Sequence, residues 1–297
     1  MNRFKSFAKH KALCSVLLAS TSAFMFGCGS SSSELSLTAP DVLKFADTGI
    51  DGMEEMRRAF HEFVDVMEDI SGMPVDFYPV ANRTIAAAAL AASDVDIVLA
   101  GPTEYLFIKS RQPGVVPLAA IERAEYYSVV IVPTDSPAQS LQDLKGKTIA
   151  FKDPGSTSGH VVPTAMFLEA GMEAGRDYAG PLVDHLRYEM LYNRDADAMV
   201  GGIRDFRRIE DQRPGQYRIL AQSAPLPRDI IIARPGLPPE LVATLSEQMV
   251  THGERIMQAI LAPGERSKYR GAKIVPAEDS DYDQMREIHR LLELPFE

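Results

Sequence analysis

Tryptophan is absent from the 297 residues, and aromatic residues make up only 8% of them. A groove that stacks sugars on aromatic rings is therefore a poor expectation. Basic side chains are outnumbered, with 31 Lys and Arg against 41 Asp and Glu and a formal charge of −10. This balance argues against a nucleic-acid-binding role, which needs a basic face. The negative net charge does not exclude a local anion-binding pocket, because salt screens the interaction with distant charges.

Cysteine is also scarce, and both cysteines, Cys14 and Cys28, lie near the N-terminus. Residues 1–28 contain basic residues, no acid and a short apolar centre, LCSVLLA, a pattern that predicts an export signal rather than a permanent membrane helix. The end of this stretch, MFGCGSSSS, resembles a bacterial lipoprotein signal, in which Cys28 is lipidated and becomes the new N-terminus. The alternative is a cleaved secretory peptide with an incidental cysteine.

Cleavage before Cys28 leaves one cysteine, which excludes a disulfide within the chain and a cysteine-ligated metal. The six histidines show no H-E-x-x-H spacing, so we predict no metal site. The serine-rich stretch 29–40 is typical of a flexible tether between lipid and domain. Gly29 after the lipidated cysteine favours the outer membrane in a Gram-negative cell. No later stretch is apolar enough for a membrane helix.

Strand-like and helix-like segments alternate from residue 42 onward, which predicts an α/β fold with mostly parallel sheets and helices on both faces. We expect two lobes. The first comprises 41–133 plus 228–297, and the second comprises 134–227. Proline-bearing crossings near Pro133–Ser136 and Ala224–Pro227 would form a hinge with a ligand cleft between the lobes.

The stretch FKDPGSTSGHVVP, 151–163, joins a predicted strand to a predicted helix. Main-chain N–H groups at a helix N-terminus are unpaired and carry partial positive charge, so they can hold an anion without Lys or Arg. Gly155 and Gly159 allow close approach of the backbone, and Ser156, Thr157 and Ser158 add hydroxyl donors. The alternative is an ordinary helix cap, for which Ser and Thr are common.

Four stretches occur in the order typical of one known family: VDIVLAGPTEYLF (95–107), YYSVVIV with SLQDLKGKTIAF (126–151), DPGSTSGHVVP (153–163) and LPRDIIIARPGLPPEL (226–241). They resemble the phosphate-, phosphite- and phosphonate-binding proteins of ABC importers. The resemblance implies the two-lobed periplasmic binding protein fold of type II with two crossovers. It also implies a small oxyanion ligand and an ABC permease as partner, with no cofactor and no catalysis.

The resemblance also assigns site residues. It implies that Ser156, Thr157 and Ser158 grip the ligand oxygens and that Tyr105, His185 and Asp229 contact the ligand. In relatives that bind aminoalkyl phosphonates, such acids hold the ammonium group. The full predicted ligand-binding set is Ser156, Thr157, Ser158, Gly159, His160, Tyr105, His185, Arg83 and Asp229.

Arg83 and His160 depart from the tyrosines usual in the family, and both favour phosphite or phosphate over an aminoalkyl phosphonate. Simpler roles stay open for several of these residues. Tyr105 could be a packing residue, His185 a satisfied histidine beside a strand, Arg83 a solvated side chain and Asp229 a turn or ion-pair residue. For Asp205, a solvated helix surface is the favoured interpretation.

Two stretches resemble catalytic or nucleotide-binding motifs but lack a residue that the motif requires. KGKT (145–148) lacks the first glycine of a nucleotide P-loop, and GSTSG has threonine where a hydrolase elbow needs serine.

We therefore predict a monomeric, lipid-anchored binding protein of the periplasm or cell envelope that takes phosphite, phosphate or a short alkylphosphonate. The alternatives are an oxyanion-sensing partner of a receptor kinase and a serine hydrolase using Ser156 or Ser158 with His160 or His185.

Overall fold

The computed structural model describes residues 39–48, 53–80, 83–261 and 267–294. The predicted signal peptide with Cys28 and residues 29–38 of the predicted tether lie outside these residues. Their assignment stays a prediction.

The described strands and helices alternate along most of the chain. The strands are β1 (Leu43–Asp47), β2 (Val75–Phe77), β3 (Ile97–Ala100), β4 (Val116–Glu122), β5 (Ser128–Pro133), β6 (Ile149–Ala150), β7 (Ala198–Gly202), β8 (Tyr217–Gln222), β9 (Asp229–Ala233) and β10 (Lys273–Val275). The helices are α1 (Met53–Ser71), α2 (Arg83–Ala91), α3 (Pro102–Arg111), α4 (Val162–Glu169), α5 (Leu186–Tyr192), α6 (Ile203–Gln212), α7 (Pro239–Thr251), α8 (Gly253–Leu261) and α9 (Asp283–Leu291).

These strands form two sheets. The first has six strands in the order β10-β4-β9-β3-β1-β2, and the second has four in the order β6-β7-β5-β8. We call the part built on the six-stranded sheet, 39–122 and 229–294, the first lobe. The part built on the four-stranded sheet, 128–222, is the second lobe. The two-lobed α/β architecture is the one that the sequence predicts.

The prediction of mostly parallel sheets is wrong. Only β1 with β2, β1 with β3, and β6 with β7 pair in parallel among the described strands. The other pairs, which all involve β9, β5 or β10, are antiparallel. β5 and β9 each follow a crossing between lobes, and each enters the middle of its sheet against the direction of its neighbours.

The first crossing also lies earlier than predicted. The segment Ser128–Pro133 was expected to end the first lobe, but it pairs with β7 and β8 in the second sheet. The chain therefore passes between the sheets at 123–127 rather than at Pro133–Ser136. It returns between Gln222 and Asp229, a segment that contains the predicted Ala224–Pro227.

Helices cover both faces of the six-stranded sheet, so its central strands are apolar on both sides. Ile97 and Leu99 of β3 pack with residues of α1, α7 and α8, whereas Val98 and Ala100 pack with residues of α2, α3 and α9. All residues of β5 and β9 are buried. Met67 of α1 belongs to this core. No described helix is long and apolar enough to cross a membrane.

A buried histidine on α9 makes stability depend on pH. His289 is 2% exposed, and burial lowers its pKa to about 4. The unfolded chain protonates this imidazole below its usual value of about 6.5. Between pH 6.5 and 4 the unfolded state therefore binds more protons, and stability is lost as the pH falls.

We expect His289 alone to lower the free energy of unfolding by about 2 kcal/mol between pH 7 and pH 5. Urea unfolding of the wild type and of His289→Gln at both pH values measures this contribution. The difference between the two pH values should be smaller in the variant by about that amount. Equal pH dependence of the two proteins would show that His289 is protonated with equal ease in the folded and unfolded chains.

Candidate functional site

A cavity of about 660 Å³ opens between the two lobes. The first lobe contributes Asp47, Gly101 and Asp229 to its wall, the crossing segment contributes Arg123, and the second lobe contributes the loop Ser156–Ser158. The cleft that the sequence predicts thus contains the hydroxyl-bearing loop on which the functional hypothesis depends.

The loop is shaped by the end of β6 and by a single helical turn. Gly155 has a φ of 80°, a left-handed conformation that favours glycine. Ser156 is extended, and a π-helical turn runs over Thr157–Val161 directly before α4. The N–H groups of Thr157 and Ser158 open this turn and donate no hydrogen bond within the described residues. These two amides are the unpaired donors expected at a helix N-terminus.

The hydroxyl of Thr157 contacts the first lobe. Its Oγ1 accepts a hydrogen bond from the N–H of Thr103 at 3.2 Å and donates one to the Thr103 hydroxyl at 3.0 Å. Thr103 lies in the first turn of α3, which begins at Pro102 after Gly101. Two helix N-termini, one from each lobe, are therefore in direct contact beside the cavity, whose wall includes Thr157. In this structure the Thr157 hydroxyl is therefore engaged in hydrogen bonds with Thr103 of the protein itself.

Gly159 and His160 support the loop from behind rather than lining the cavity. A Cβ added to Gly159 would lie 2.5 Å from Cβ of Lys152, so no larger residue fits. Nδ1 of His160 accepts a hydrogen bond from the N–H of Gly155 at 3.1 Å. Burial lowers the pKa of His160, which keeps this nitrogen an acceptor. The prediction that both residues contact the ligand is corrected to this supporting role.

Asp229 lies at the cavity in a buried ion pair. The residue begins β9 and is 1% exposed. Its Oδ2 accepts hydrogen bonds from both Nε and Nη2 of Arg123 and from the hydroxyl of Tyr269 at 2.7 Å. Burial lowers the pKa of Arg123, but the charge of Asp229, with Tyr126 and Tyr269, more than offsets this and raises it. Oδ1 of Asp229 is buried and accepts no hydrogen bond from described residues.

A second carboxylate of the cavity, Asp205, lies in the first turn of α6. Its Oδ2 accepts a hydrogen bond from the N–H of Gly202 at 2.7 Å. Its Oδ1 accepts one from Arg187 at 2.8 Å and one from the hydroxyl of Tyr188. Burial raises the pKa of Asp205, but the charge of Arg187 and these hydrogen bonds outweigh burial and lower it. The interpretation of Asp205 as a solvated helix residue is therefore wrong.

Tyr105 does not reach the cavity, contrary to the prediction. It is fully buried, its hydroxyl donates to Asp279 at 2.5 Å, and its ring lies 4.7 Å from that of Tyr282. Burial raises its pKa, as do the hydrogen bond and charge of Asp279. The register of α3 turns Tyr105 toward the C-terminal segment and leaves Gly101 and Glu104 at the cavity.

His185 and Arg83 do not join the described site. His185 was expected at the end of a strand, but it directly precedes α5, with its side chain 68% exposed and 3.3 Å from Asp184. It is absent from the cavity wall. Arg83 begins α2, and its side chain lies outside the described residues.

Sequence reasoning missed the basic residues of the cavity. Seven cationic and six acidic side chains line it, so its formal charge is slightly positive although the whole chain carries −10. Burial and the like charges of Arg123 and Arg270 lower the pKa of Arg204, with Asp205 opposing. The sequence carries one signal for them: Arg123 and Arg204 each follow the end of a strand, β4 and β7. Among described residues, no group of three or more His, Cys, Asp or Glu side chains is placed to hold a metal.

Comparison with known proteins extends these observations. The family model described as "ABC transporter, phosphonate, periplasmic substrate-binding protein" matches residues 52–282. The phosphate-import protein PhnD of Mycolicibacterium smegmatis is 25% identical over 315 residues, covering 95% of each chain. PhnD1 of Prochlorococcus marinus in complex with methylphosphonate has a TM-score of 0.71 at 19% identity, over 85% of this chain and 98% of that one. XAC2383 of Xanthomonas citri bound to ATP has a TM-score of 0.69 at 20% identity, over 86% and 98%.

The solved structures share the two-lobed fold, and the family model spans residues of both lobes together with the loop Ser156–Ser158. The chain therefore belongs to the family of periplasmic substrate-binding proteins of phosphonate ABC transporters.

Proposed function

We propose that this protein captures a phosphonate-type oxyanion (phosphite, phosphate or a short alkylphosphonate) between its lobes and delivers it to a membrane permease. We also propose that it acts in the periplasm as a monomer anchored by a lipid on Cys28. Binding breaks no bond, so the protein works as a receptor and not as an enzyme. The relative from M. smegmatis is named for phosphate import, and the structure from P. marinus contains methylphosphonate.

One observation carries the proposal. Thr157 and Ser158, whose N–H groups donate no hydrogen bond within the described residues, line the cavity, and Thr157 contacts the N-terminus of α3, which comes from the other lobe. Two helix N-termini that meet in one cleft favour an anion between them. Lys152, whose Nζ lies 3.9 Å from Oδ1 of Asp153, lines the same cavity and adds a cationic side chain to it. Closing the lobes on the ligand would remove water and strengthen these hydrogen bonds.

The pairing of two of the six cavity acids favours an oxyanion without an ammonium group. Asp229 is bonded to Arg123 and Asp205 to Arg187, so each carboxylate is already matched with a guanidinium. A ligand ammonium would have to compete with these pairs. Oδ1 of Asp229 is instead an unpaired acceptor, which suits a protonated oxygen of phosphite or phosphate.

The hydrolase alternative lacks a placed base in the described residues. Nδ1 of His160 is engaged by the N–H of Gly155, and His185 is outside the cavity. A serine nucleophile needs a base within hydrogen-bond reach that is itself oriented by a third group. Neither histidine meets this requirement for Ser156 or Ser158.

Isothermal titration calorimetry with phosphite, phosphate, methylphosphonate and 2-aminoethylphosphonate tests the proposal. We expect at least one of the first three to bind and 2-aminoethylphosphonate to bind more weakly. Thr157→Ala should weaken binding about tenfold or more, because the hydroxyl that bonds Thr103 in this structure would turn to the ligand, and a hydrogen bond to a charged group contributes roughly 1.5–3 kcal/mol.

Thr134→Ala is the matched control, because the Thr134 hydroxyl donates to the carbonyl of Gly215 at 2.8 Å on an exposed part of the same lobe. This variant should bind as the wild type does. Absence of heat with all four compounds, in a protein that unfolds cooperatively, would contradict the proposed function.

A further inference from the structure

The carbonyl of Ser158 cannot receive the next hydrogen bond of the helical turn that begins the ligand loop. In this π-helical turn the N–H of Val162 donates to the carbonyl of Thr157. The next N–H in the same pattern would come from residue 163, which is a proline and has no N–H to donate. The carbonyl of Ser158 therefore needs a donor from another part of the chain.

Ser128 supplies this donor. Its hydroxyl donates to the carbonyl of Ser158 at 2.8 Å. Ser128 is the first residue of β5, is fully buried and pairs with Gly202 of β7. A Cβ added to Gly202 would lie 3.3 Å from Oγ of Ser158, so the loop packs directly against this pair of residues. The two central strands of the second sheet thus support the loop.

Ser128 also joins the two segments that cross between the lobes. It directly follows the first crossing, and its N–H donates to the hydroxyl of Ser223 at 3.0 Å. Ser223 begins the return crossing, and its N–H donates to the carbonyl of Ser128 at 2.9 Å. Further along, the N–H of Leu226 donates to the carbonyl of Tyr126 at 2.9 Å. The two crossings therefore form one hydrogen-bonded ribbon, and Ser128 connects its end in the second lobe to the ligand loop.

We propose that Ser128 is a positioning residue for ligand capture. Its hydroxyl fixes the peptide group that follows Ser158, and so holds Thr157 and Ser158 where their N–H groups can bind the oxyanion. Ser128 does not line the cavity, so it acts through the loop rather than by touching the ligand. Because the same residue ends the ribbon of crossings, the loop keeps its place relative to the hinge when the lobes close. This inference rests on the proposed function, because it assumes that the loop Ser156–Ser158 holds the oxyanion.

Calorimetry tests the inference with whichever of methylphosphonate, phosphite and phosphate the wild type binds most tightly. Ser128→Ala removes the hydroxyl and should weaken binding about tenfold. Ser128→Cys nearly keeps the volume of the side chain, but a thiol is a weak donor, so its loss of affinity should lie within about threefold of that of Ser128→Ala.

Ser246→Ala is the matched control. The Ser246 hydroxyl likewise donates to a main-chain carbonyl of another element, that of Leu118 at 2.6 Å, and neither residue lines the cavity. Removing this hydroxyl should lower the urea midpoint of unfolding, because a hydrogen bond within the fold is lost. The affinity of Ser246→Ala should stay within about twofold of the wild type.

A double variant gives a readout that a merely structural role would not change. If Ser128 acts through the loop, Thr157 is already displaced in Ser128→Ala, and Thr157→Ala should cost less affinity there than in the wild type. We expect the loss in Ser128→Ala/Thr157→Ala to be at least about threefold smaller than the product of the two single losses. In Ser246→Ala/Thr157→Ala the loss should equal the product within about twofold.

Binding by Ser128→Ala or Ser128→Cys within about twofold of the wild type would overturn this inference and leave the proposed function intact. Losses in Ser128→Ala/Thr157→Ala that simply multiply would overturn it as well. If Ser128→Ala does not unfold cooperatively, Ser128→Cys, alone and combined with Thr157→Ala, decides the question, because it opens no cavity. Failure of the wild type to bind methylphosphonate, phosphite and phosphate contradicts the proposed function itself.

Discussion

Replacing Gly159 by alanine is expected to lower the affinity for methylphosphonate by about 10- to 100-fold, the loss of one charge-assisted hydrogen bond. The new Cβ would lie 2.5 Å from Cβ of Lys152 and 3.2 Å from Oγ of Ser156. The Cβ of Lys152 is fixed to its main chain, so the loop has to move instead. A moved loop would displace Thr157 and Ser158, whose N–H groups are the proposed ligand donors, from the cavity wall.

Gly171→Ala separates this local effect from a general loss of stability. Gly171 follows α4 in the same lobe with a φ of 77°, and nothing lies within 4 Å of its added Cβ. Alanine there is strained, which should lower stability by about 1 kcal/mol or more without changing affinity. Calorimetry and urea unfolding of both variants give the comparison. If Gly159→Ala binds methylphosphonate as tightly as Gly171→Ala does, the loop does not hold the ligand.

Removing the carboxylate of Asp229 is expected to cost the largest amount of stability, about 3–5 kcal/mol for Asp229→Ala. The side chain of Arg123 is only 12% exposed and would keep its charge without its partner. The hydroxyl of Tyr269 would lose its acceptor as well. The free energy of unfolding, measured in urea at pH 7, gives the cost directly.

Two further variants identify the cause. Arg194→Ala breaks an exposed pair with Asp135, whose side chains are 57% and 73% exposed, and should cost less than about 1 kcal/mol. The double variant Arg123→Met/Asp229→Leu removes both charges and should recover most of the stability lost in Asp229→Ala. A single-variant cost no greater than that of Arg194→Ala would falsify the view that the Asp229 pair is desolvated.

The sequence predicts much of the fold because its patterns are local. The helical spacing of apolar residues and the residues at helix ends identify α1 and α3, and the hydroxyl-rich stretch before α4 identifies the loop at the cavity. The partners of a strand are not local information. The apolar run of β5 predicts a strand equally well in either sheet, and only its pairing with β7 and β8 decides the lobe.

The same distinction between local and non-local information applies to the site residues. Ser156, Thr157 and Ser158 are found from the sequence because the loop and the helical turn lie together in the chain. Tyr105 is misplaced because its direction depends on the rotation of α3 about its axis.

Arg123 and Asp229 are 106 residues apart, and no spacing rule joins them. Asp205 was assigned to a solvated surface because charged neighbours, IRDFRR, surround it in sequence. In the structure the N–H of Gly202 and the side chain of Arg187 turn it inward.

The position of β9 has a consequence for the order in which this molecule can assemble. β9 lies between β3 and β4 in the six-stranded sheet, but it follows the whole second lobe in the chain. β4 therefore cannot be joined to β3 until β9, about a hundred residues further along the chain, has been made. The intervening 128–222 contains a complete sheet of its own and can form first. The second lobe should thus fold before the sheet of the first lobe is complete, although the first lobe begins earlier in the chain.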